Sequence, residues 1–197
     1  MSAESPAVAA TVVPTWQTWR FRLAGLIPLA FFMLRVADYV KWDKPANIWW
    51  NCHVANLTLG MGMLLGNRLL IRVAAIWLLL GVPPWFIDMV FTGIIWPLAV
   101  LTHVGGAAVG LVALKWVRME RGVWWVALLW FVVLQQLSRY FTPLEFNVNV
   151  AHHGYGPLQH WFGNYWQYWL ANTAGAALLL WLLEWSLAKL FPAKQGK

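Results

Sequence analysis

Long stretches without Lys, Arg, Asp or Glu divide the chain into apolar segments. The clearest of them cover 45–67, 73–87, 89–114, 122–138 and 146–183. The segment 21–40 is nearly as apolar, although Arg22, Arg35 and Asp38 interrupt it. A helix needs about 20 mostly apolar residues to cross a bilayer. The pattern therefore predicts an all-α protein with six transmembrane helices, near 22–40, 48–66, 69–87, 93–115, 122–141 and 167–189.

The connections between these helices are short, with one exception. The segment 142–166 carries Pro143, Gly154, Gly156 and Pro157 and cannot be one regular helix. We therefore predict a single membrane domain over 21–191 with a long outer loop near 142–166. Residues 1–20, whose first part is rich in Ala, Ser and Pro, and residues 192–197 are expected to be tails, the first of them disordered. The Ala-rich stretch precedes the apolar segment, which argues against a cleaved signal peptide.

Composition supports the membrane interpretation. Of the 197 residues, 61% are hydrophobic and 11% are charged, and the mean hydropathy is +0.58. Average soluble domains are about 45–50% apolar and about 25% charged. These values exclude a disordered chain, a coiled coil and an ordinary water-soluble globule. A single cysteine, Cys52, excludes an intramolecular disulfide.

The basic residues predict an orientation. The chain has 14 Lys and Arg against 7 Asp and Glu, a net charge of +7. Three of the basic residues, Lys41, Lys44 and Arg139, fall on one side of the six-helix arrangement, and Arg35 lies within the first helix. The other ten fall on the opposite side: Arg20, Arg22, Arg68, Arg72, Lys115, Arg118, Arg121, Lys189, Lys194 and Lys197. Because cytoplasmic loops carry the excess of Lys and Arg, both termini are predicted to be cytoplasmic, in the inner membrane. No water-facing basic surface remains for nucleic acid.

The tryptophans follow the same arrangement. Their number is 17, and all but three fall near a predicted membrane surface. An indole ring is favoured at headgroup depth, so we interpret them as two aromatic belts that contact membrane lipids. Those at the predicted outer surface are Trp42, Trp49, Trp50, Trp85, Trp96, Trp161, Trp166 and Trp169, and those at the inner surface are Trp16, Trp19, Trp116, Trp124, Trp125 and Trp185.

Strongly polar side chains within the predicted helices gather in their outer halves, whereas the inner halves are mainly Leu, Val, Ala and Gly. Buried polar groups are expensive in a bilayer, so this one-sided distribution predicts a polar cavity open to the outer side. The residues assigned to it are Arg35, Asp38, Cys52, Asn56, Asp88, His103, Arg139, Asn147 and Asn149. Arg35 and Asp38 are three residues apart on one helix face, where they can pair.

Cys52 is the candidate nucleophile of this cavity and His103 its candidate base, because acyl transfer needs a thiolate and an imidazole to take the proton. Their depths differ by about 9–10 Å along the helix axes. His53 points about 100° away from Cys52 around the helix, which predicts a poor base. Two structural interpretations stay open: Cys52 as a small buried hydrophobe, and Arg35 with Asp38 as a packing ion pair.

Other chemistries are also compatible with the polar residues. His152, His153 and His160 with Asp88 could bind zinc or copper, His103 could bind haem, and the buried charges could form a proton or anion path. Neither the spacing of the histidines nor the apolar inner half favours these chemistries, so we assign no metal site and name no cofactor. A non-enzymatic subunit, docking partners or pigments within a larger membrane complex, is the alternative from a different class.

Four short motifs resemble the YwaF-type six-helix membrane proteins, whose animal relative is an ether-phospholipid acyltransferase distantly similar to androgen-induced transmembrane hydrolases. The motifs are Trp49-Trp50-Asn51-Cys52-His53, Asp88, Thr102-His103-Val104-Gly105 and Asn147-Val148-Asn149-Val150. The resemblance implies a working cysteine and histidine on two helices, here Cys52 and His103.

The resulting hypothesis is acyl transfer or hydrolysis on a membrane lipid. Asn56, Asn147 or Asn149 would hold a developing oxyanion, and Arg35 or Arg139 a phosphate headgroup. Asp38 and Asp88 complete the predicted substrate-binding set.

Overall fold

The computed structural model describes residues 14–193, and all regular elements in that range are helical. The α-helices are α1 (Trp19–Leu23), α2 (Leu26–Lys41), α3 (Asn51–Leu65), α4 (Arg68–Thr92), α5 (Pro97–Val100), α6 (Gly106–Val117), α7 (Val123–Phe141) and α8 (Tyr165–Leu190). A π-helical turn, Leu101–Gly105, joins α5 to α6. Short 3₁₀ turns lie at Thr15–Gln17, Pro45–Trp49, Leu144–Phe146, Val148–Val150 and Gly156–Trp161.

The all-helical class and the irregular 142–164 connection are confirmed. The N-terminal boundary differs from the prediction. Residues 1–13 of the expected tail lie outside the described part of the chain, but Pro14 to Arg20 are not irregular: Thr15–Gln17 form a turn, and Thr18 caps α1 by accepting from the Phe21 N–H. At the other end of the chain, Met119 N–H donates to Phe191 O at 2.9 Å, and residues 194–197 lie outside the described part.

Helix α4 extends five residues beyond its predicted end at 87. The prediction stopped there because the stretch without charged residues ends at Asp88, although Pro83 and Pro84 already lie inside the predicted helix. Both prolines are exposed on the helix surface. Transmembrane helices tolerate such prolines where local adjustments satisfy the freed carbonyls. Asp88 consequently lies within α4 and not at its end.

Four helical segments are long and apolar enough to cross a membrane: Trp19–Lys41, Arg68–Thr92, Pro97–Val117 and Tyr165–Leu190. The chain is therefore a multi-pass membrane protein. The two remaining predicted spans, α3 and α7, do not belong to this set. Helix α3 has only 15 residues, which is about 22 Å at 1.5 Å per residue and shorter than the hydrocarbon core.

Helix α4 is the centre of the bundle and packs against α3, α6, α7 and α8. Its residues Ile71 to Leu78 are all buried, including Arg72. Trp77 shows how the packing satisfies a polar atom: its indole Nε1 donates to Ala127 O at 3.0 Å, and its ring lies 5.2 Å from that of Phe131. These four helices are therefore all positioned by their contacts with α4.

We call the end of the bundle that carries the 142–164 connection the loop end, and the end that carries Trp19 and Leu190 the terminal end. The terminal end is more polar than the sequence predicted. Glu184 of α8 is buried, and its carboxylate accepts from the N–H groups of Gly122 (3.0 Å) and Trp124 (2.7 Å) at the start of α7. Arg72 donates to Val117 O, Arg118 O and Glu120. These polar groups form hydrogen bonds with backbone groups at helix ends. The predicted one-sided distribution therefore holds for buried polar groups without partners, and not for buried polar groups in general.

Glycines set the closest helix contact, which joins α2 to α3. A Cβ on Gly25 would lie 2.7 Å from Gly60 O, and a Cβ on Gly60 would lie 2.8 Å from Gly25 O and 2.5 Å from Leu29 Cγ. Real Cβ atoms essentially never come so near to other atoms. The backbones of the two helices are therefore in direct contact at this pair.

Replacing Gly60 with alanine is expected to lower the free energy of unfolding by about 1–3 kcal/mol, because the added methyl overpacks this contact. Gly175→Ala is the matched control, since nothing lies within 4 Å of a Cβ at Gly175 and alanine is the better helix former. Thermal unfolding of both variants in detergent measures the difference. Equal melting temperatures for the two variants would contradict the close contact.

Candidate functional site

Cys52 lies in the first turn of α3, directly after the 3₁₀ turn Pro45–Trp49, and is half-buried. Its Sγ lies 3.8 Å from Nδ1 of His53, within hydrogen-bond distance for sulfur. The expectation that His53 points away from Cys52 is therefore wrong. The 100° step describes where side chains leave the helix, whereas the imidazole is long enough for Nδ1 to approach its neighbour.

His53 is only 2% exposed and connects the thiol to α2. Its Nε2 lies 3.1 Å from Oη of Tyr39, which in turn accepts from Nη2 of Arg35. Nη1 of Arg35 donates to Oδ2 of Asp38 at 2.7 Å, so the predicted ion pair is present. A continuous chain of polar side chains thus runs from Cys52 through His53, Tyr39 and Arg35 to Asp38.

His103 reaches the same region from the π-helical turn. Its Nδ1 lies 2.9 Å from Ala99 O, and because a carbonyl only accepts, Nδ1 carries the proton and Nε2 of the neutral ring is an acceptor. The Trp85 ring stacks on it, with centroids 5.0 Å apart and planes 13° apart. The His53 ring lies 6.2 Å away in a T-shaped arrangement. The imidazole is thus held on one edge and one face.

Cys52 and His103 both lie close to Gly81 of α4. A Cβ on Gly81 would lie 3.7 Å from Cys52 Cβ and 3.9 Å from His103 Cδ2. The structure therefore places both predicted catalytic residues next to the same glycine, although their sequence depths differ. It places His53, and not His103, in hydrogen-bond distance of the thiol.

Asn56 links the helices that carry Cys52 and His103. The side chain is fully buried, and its Nδ2 donates to Cys52 O at 2.9 Å and to Thr102 O at 3.0 Å. In the π-helical turn the Gly106 N–H donates to the carbonyls of His103 and Leu101 and passes over that of Thr102. The turn therefore presents Thr102 O to Asn56, and π-turns of this kind are frequent at functional sites.

Several buried polar atoms near Cys52 have no hydrogen-bond partner. They are both side-chain atoms of Asn51, Oδ1 of Asn56 and Nε of Arg35, and they make up four of the seven such atoms recorded within residues 14–193. Each costs about 1–3 kcal/mol relative to a satisfied group. Native proteins seldom keep such groups without a functional reason, so their concentration here favours a ligand site.

Asn149 and Asn147 have a different role from the predicted one of contacting substrate, since their side chains bind the chain itself. Asn149 Oδ1 accepts from the Asn51 N–H at 2.8 Å, and its Nδ2 donates to Trp49 O at 2.8 Å and Ser138 Oγ at 2.9 Å. Asn147 Oδ1 accepts from the N–H groups of His152 and His153. Both residues have positive φ (41° and 55°), which asparagine tolerates.

Asp88 and Arg139 lie at the loop end, apart from this cluster. Asp88 accepts a hydrogen bond from Tyr155 Oη at 2.7 Å; desolvation by burial and this bond raise the pKa of Tyr155 to about 12, so Tyr155 stays a donor at neutral pH. Nη1 of Arg139 donates to Ala151 O at 2.7 Å, and its guanidinium lies 4.6 Å and 5.0 Å from the ring centroids of Tyr165 and Trp166.

Two cavities open at the loop end. The larger, about 710 Å³, is lined by Asp43, Pro45, Ala46, Ile48, Trp49, Phe141, Pro143 and Phe146. The smaller, about 300 Å³, is lined by His153, Gly154, His160, Phe162, Gly163, Asn164, Tyr165 and Tyr168. Neither is lined by Cys52 or His103. Among residues 14–193, no three His, Cys, Asp or Glu are grouped to hold a metal ion.

Four residues of the cluster are not among the site residues that the sequence predicts: His53, Tyr39, Trp85 and Asn51. One signal was available for Tyr39: it follows Arg35 by four residues, which places both on one face of α2. No periodicity could show that Asn51 would be left without partners, because that depends on how Asn149 folds back onto α3.

Asn149→Ala is expected to lower the free energy of unfolding by about 2–4 kcal/mol, since it leaves several buried partners unpaired. The matched control is Asn172→Ala in α8, for whose side chain the structure records no hydrogen bond. Thermal unfolding in detergent compares the two. If Asn149→Ala were as stable as the control, Asn149 would not hold the loop end together.

Comparison with protein-family models, with curated proteins and with solved structures finds no match to this chain. The chemical capacity of the cluster is therefore argued from its own geometry. It contains one cysteine, Cys52, with the His53 imidazole in contact and the His103 ring 6.2 Å from that of His53, and a thiol beside an imidazole is what covalent acyl transfer requires.

Proposed function

We propose that this protein is an enzyme that moves or hydrolyses an acyl chain of a membrane lipid, with Cys52 as the nucleophile. The observation that carries the proposal is the 3.8 Å contact between Cys52 Sγ and His53 Nδ1 inside a buried polar cluster that also holds His103. A nucleophile within reach of a base that is itself oriented by a third group is the general pattern of covalent catalysis. The third group here is Tyr39.

The thiol proton passes to His53 in the first step. With its own proton at Nε2, directed at Tyr39 Oη, His53 accepts the Cys52 proton at Nδ1. The sulfur then attacks the ester carbonyl, a C–S bond forms, and the carbonyl electron pair moves to oxygen. Collapse of this intermediate breaks the ester C–O bond, and the leaving alcohol takes the proton from the imidazolium. The acyl chain remains on Cys52 as a thioester.

The second half of the reaction returns Cys52 to its starting state. The hydroxyl of a second lipid, or water, attacks the thioester and gives its proton to an imidazole; the C–S bond then breaks, and the leaving sulfur takes that proton back from the imidazolium to restore the thiol. His103 is suited to this step because its Nδ1 is fixed by Ala99 O and its Nε2 is an acceptor. The Trp85 ring restricts its rotation. His103 thus keeps the role of base that the sequence suggested, beside His53 and not instead of it.

The substrate class follows from the surroundings. Large apolar side chains such as Phe91, Trp161 and Leu170 are exposed along the helices, so the neighbouring molecules are lipids. Of the two arginines suggested for a phosphate headgroup, Arg35 already binds Asp38 and Tyr39. Arg139 binds one carbonyl and two ring faces and has no carboxylate within ion-pair distance in the described residues. Arg139 is therefore the better candidate.

We also propose six spans, with both termini cytoplasmic in an inner membrane. Helices α3 and α7 each run from one end of the bundle to the other between two of the four long apolar segments. The ten-to-three excess of Lys and Arg that the sequence predicts for the side of the two termini supports this orientation. The thiol cluster would then lie near the outer surface.

The proposed function predicts a covalent acyl-enzyme on Cys52. Purified protein is incubated with phospholipid carrying an alkyne-tagged acyl chain and is then treated with neutral hydroxylamine, which cleaves thioesters. Because Cys52 is the only cysteine, any hydroxylamine-sensitive label must be on it. We expect label on the wild type, none on Cys52→Ala, and a rate about 10²–10⁴-fold lower for His53→Gln, which lacks the base.

The control for this experiment is His152→Gln, a loop histidine bonded to Thr142 O and outside the cluster, which should label at the wild-type rate. Absence of hydroxylamine-sensitive label on the folded wild type would refute the proposal. Equal labelling of His53→Gln and His152→Gln would remove His53 from the mechanism.

Arg139→Gln is expected to raise the half-saturating mole fraction of phospholipid in mixed micelles about tenfold, the equivalent of about 1.4 kcal/mol of binding, with little change in the maximal labelling rate. The half-saturating mole fraction for Arg139→Lys should lie between those of the wild type and Arg139→Gln, because lysine keeps the charge but loses the planar guanidinium that stacks on Tyr165. Unchanged lipid dependence in Arg139→Gln would exclude a headgroup role.

A further inference from the structure

The attack of Cys52 on an acyl carbonyl would create a negative oxygen, which needs hydrogen-bond donors already in place. Asparagine amides are the natural candidates beside Cys52. Each asparagine amide has two N–H hydrogens to donate, so the bonds that the structure records decide which amide is still free.

Three asparagines are already engaged. Asn56 Nδ2 donates to two carbonyls, those of Cys52 and Thr102. Asn149 Nδ2 donates to Trp49 O and Ser138 Oγ. Asn147 Nδ2 donates to His153 O at 3.1 Å, whereas His153 Nδ1 is itself paired with Gly154 O at 3.1 Å and therefore does not accept. Asn56 and Asn149 therefore retain no free amide hydrogen, and Asn147 is half-buried between two 3₁₀ turns of the loop, where its side chain is bonded to His152 and His153.

Asn51 is the exception. It directly precedes Cys52, is 9% exposed, and neither Nδ2 nor Oδ1 has a hydrogen-bond partner. Its own backbone is fixed, because Asn149 Oδ1 accepts from the Asn51 N–H at 2.8 Å. The amide is thus buried, held by its backbone and left with donors to spare.

The position of Asn51 at the first residue of α3 adds a second donor. The first N–H groups of a helix have no acceptor within the helix, and the helix dipole places partial positive charge there. The N–H of Cys52 belongs to this first turn. A carbonyl oxygen of a substrate bonded to Cys52 Sγ would therefore form at a helix start, at the residue that directly follows the free amide of Asn51.

We infer that Asn51 Nδ2, together with the Cys52 N–H, forms the oxyanion hole of the acyl-transfer reaction. This inference rests on the proposed function and assigns a further catalytic residue to it. Asn149 is a positioning residue in this arrangement, because it holds the Asn51 backbone and does not contact the substrate.

The test uses the labelling reaction with full-length Asn51→Asp and Asn51→Leu. Aspartate keeps the shape but replaces the donor with an acceptor, and leucine removes both polar atoms. We expect the rate of thioester formation to fall about 10²–10³-fold in both, as for loss of one oxyanion donor, with the half-saturating lipid mole fraction unchanged. Asn47→Asp, four residues earlier in the 3₁₀ turn, is the matched control and should label like the wild type.

Thermal unfolding of the same variants separates a catalytic from a structural role. Because the Asn51 amide has no partner to lose, Asn51→Leu should keep or raise the melting temperature while it slows labelling. A labelling rate equal to that of Asn47→Asp would overturn the inference, and so would parallel losses of rate and melting temperature in both variants. If the folded wild type formed no thioester, the proposed function itself would fail, which is a distinguishable result.

Discussion

The amide of Asn56 is the interaction on which the geometry of the cluster depends. One fully buried nitrogen donates to carbonyls on two different helices, Cys52 O on α3 and Thr102 O in the π-helical turn. The arrangement is possible only because residue 106 is glycine: a Cβ there would lie 2.5 Å from Asn56 Oδ1. The thiol and the second imidazole are thereby fixed relative to each other through backbone carbonyls, which move less than side chains do.

The two ends of the bundle treat buried polar groups in opposite ways. At the terminal end, Glu184 and Arg72 bind the exposed backbone groups where α7 begins and α6 ends, so each buried charge meets several partners. At the loop end, Asn51, Asn56 and Arg35 keep unpaired atoms. A membrane protein needs the first arrangement for stability, since hydrocarbon offers no hydrogen bonds. The second arrangement has no such explanation within the fold, and it occurs around the only cysteine.

Hydrophobic runs predict the helices of this chain well because a helix in lipid must satisfy its own backbone. The prediction is wrong at the end of α4, which continues past Asp88 to Thr92, because a single charged residue does not end a helix. The candidate site was half predictable. The polar residues of the helices predicted Cys52 and His103 as site residues. The rise per residue along each helix could not show that both would lie next to Gly81. The role of Asn149 depends on a residue with φ of 55° in an irregular loop, which no periodicity encodes.

The distribution of unpaired atoms also bears on how the reaction could be arranged in a low-dielectric setting. Charge that develops on a substrate oxygen is costly in hydrocarbon, and donors already committed to the protein cannot stabilise it. The protein leaves the amide of Asn51 free beside Cys52, the proposed nucleophile, while three other asparagine amides are used to hold the backbone around it. Three amides with hydrogen-bond partners thus hold the backbone, and one amide without partners lies among them. Packing alone does not require this difference. It is the arrangement expected if the stability lost at Asn51 is recovered when a transition-state oxygen binds there.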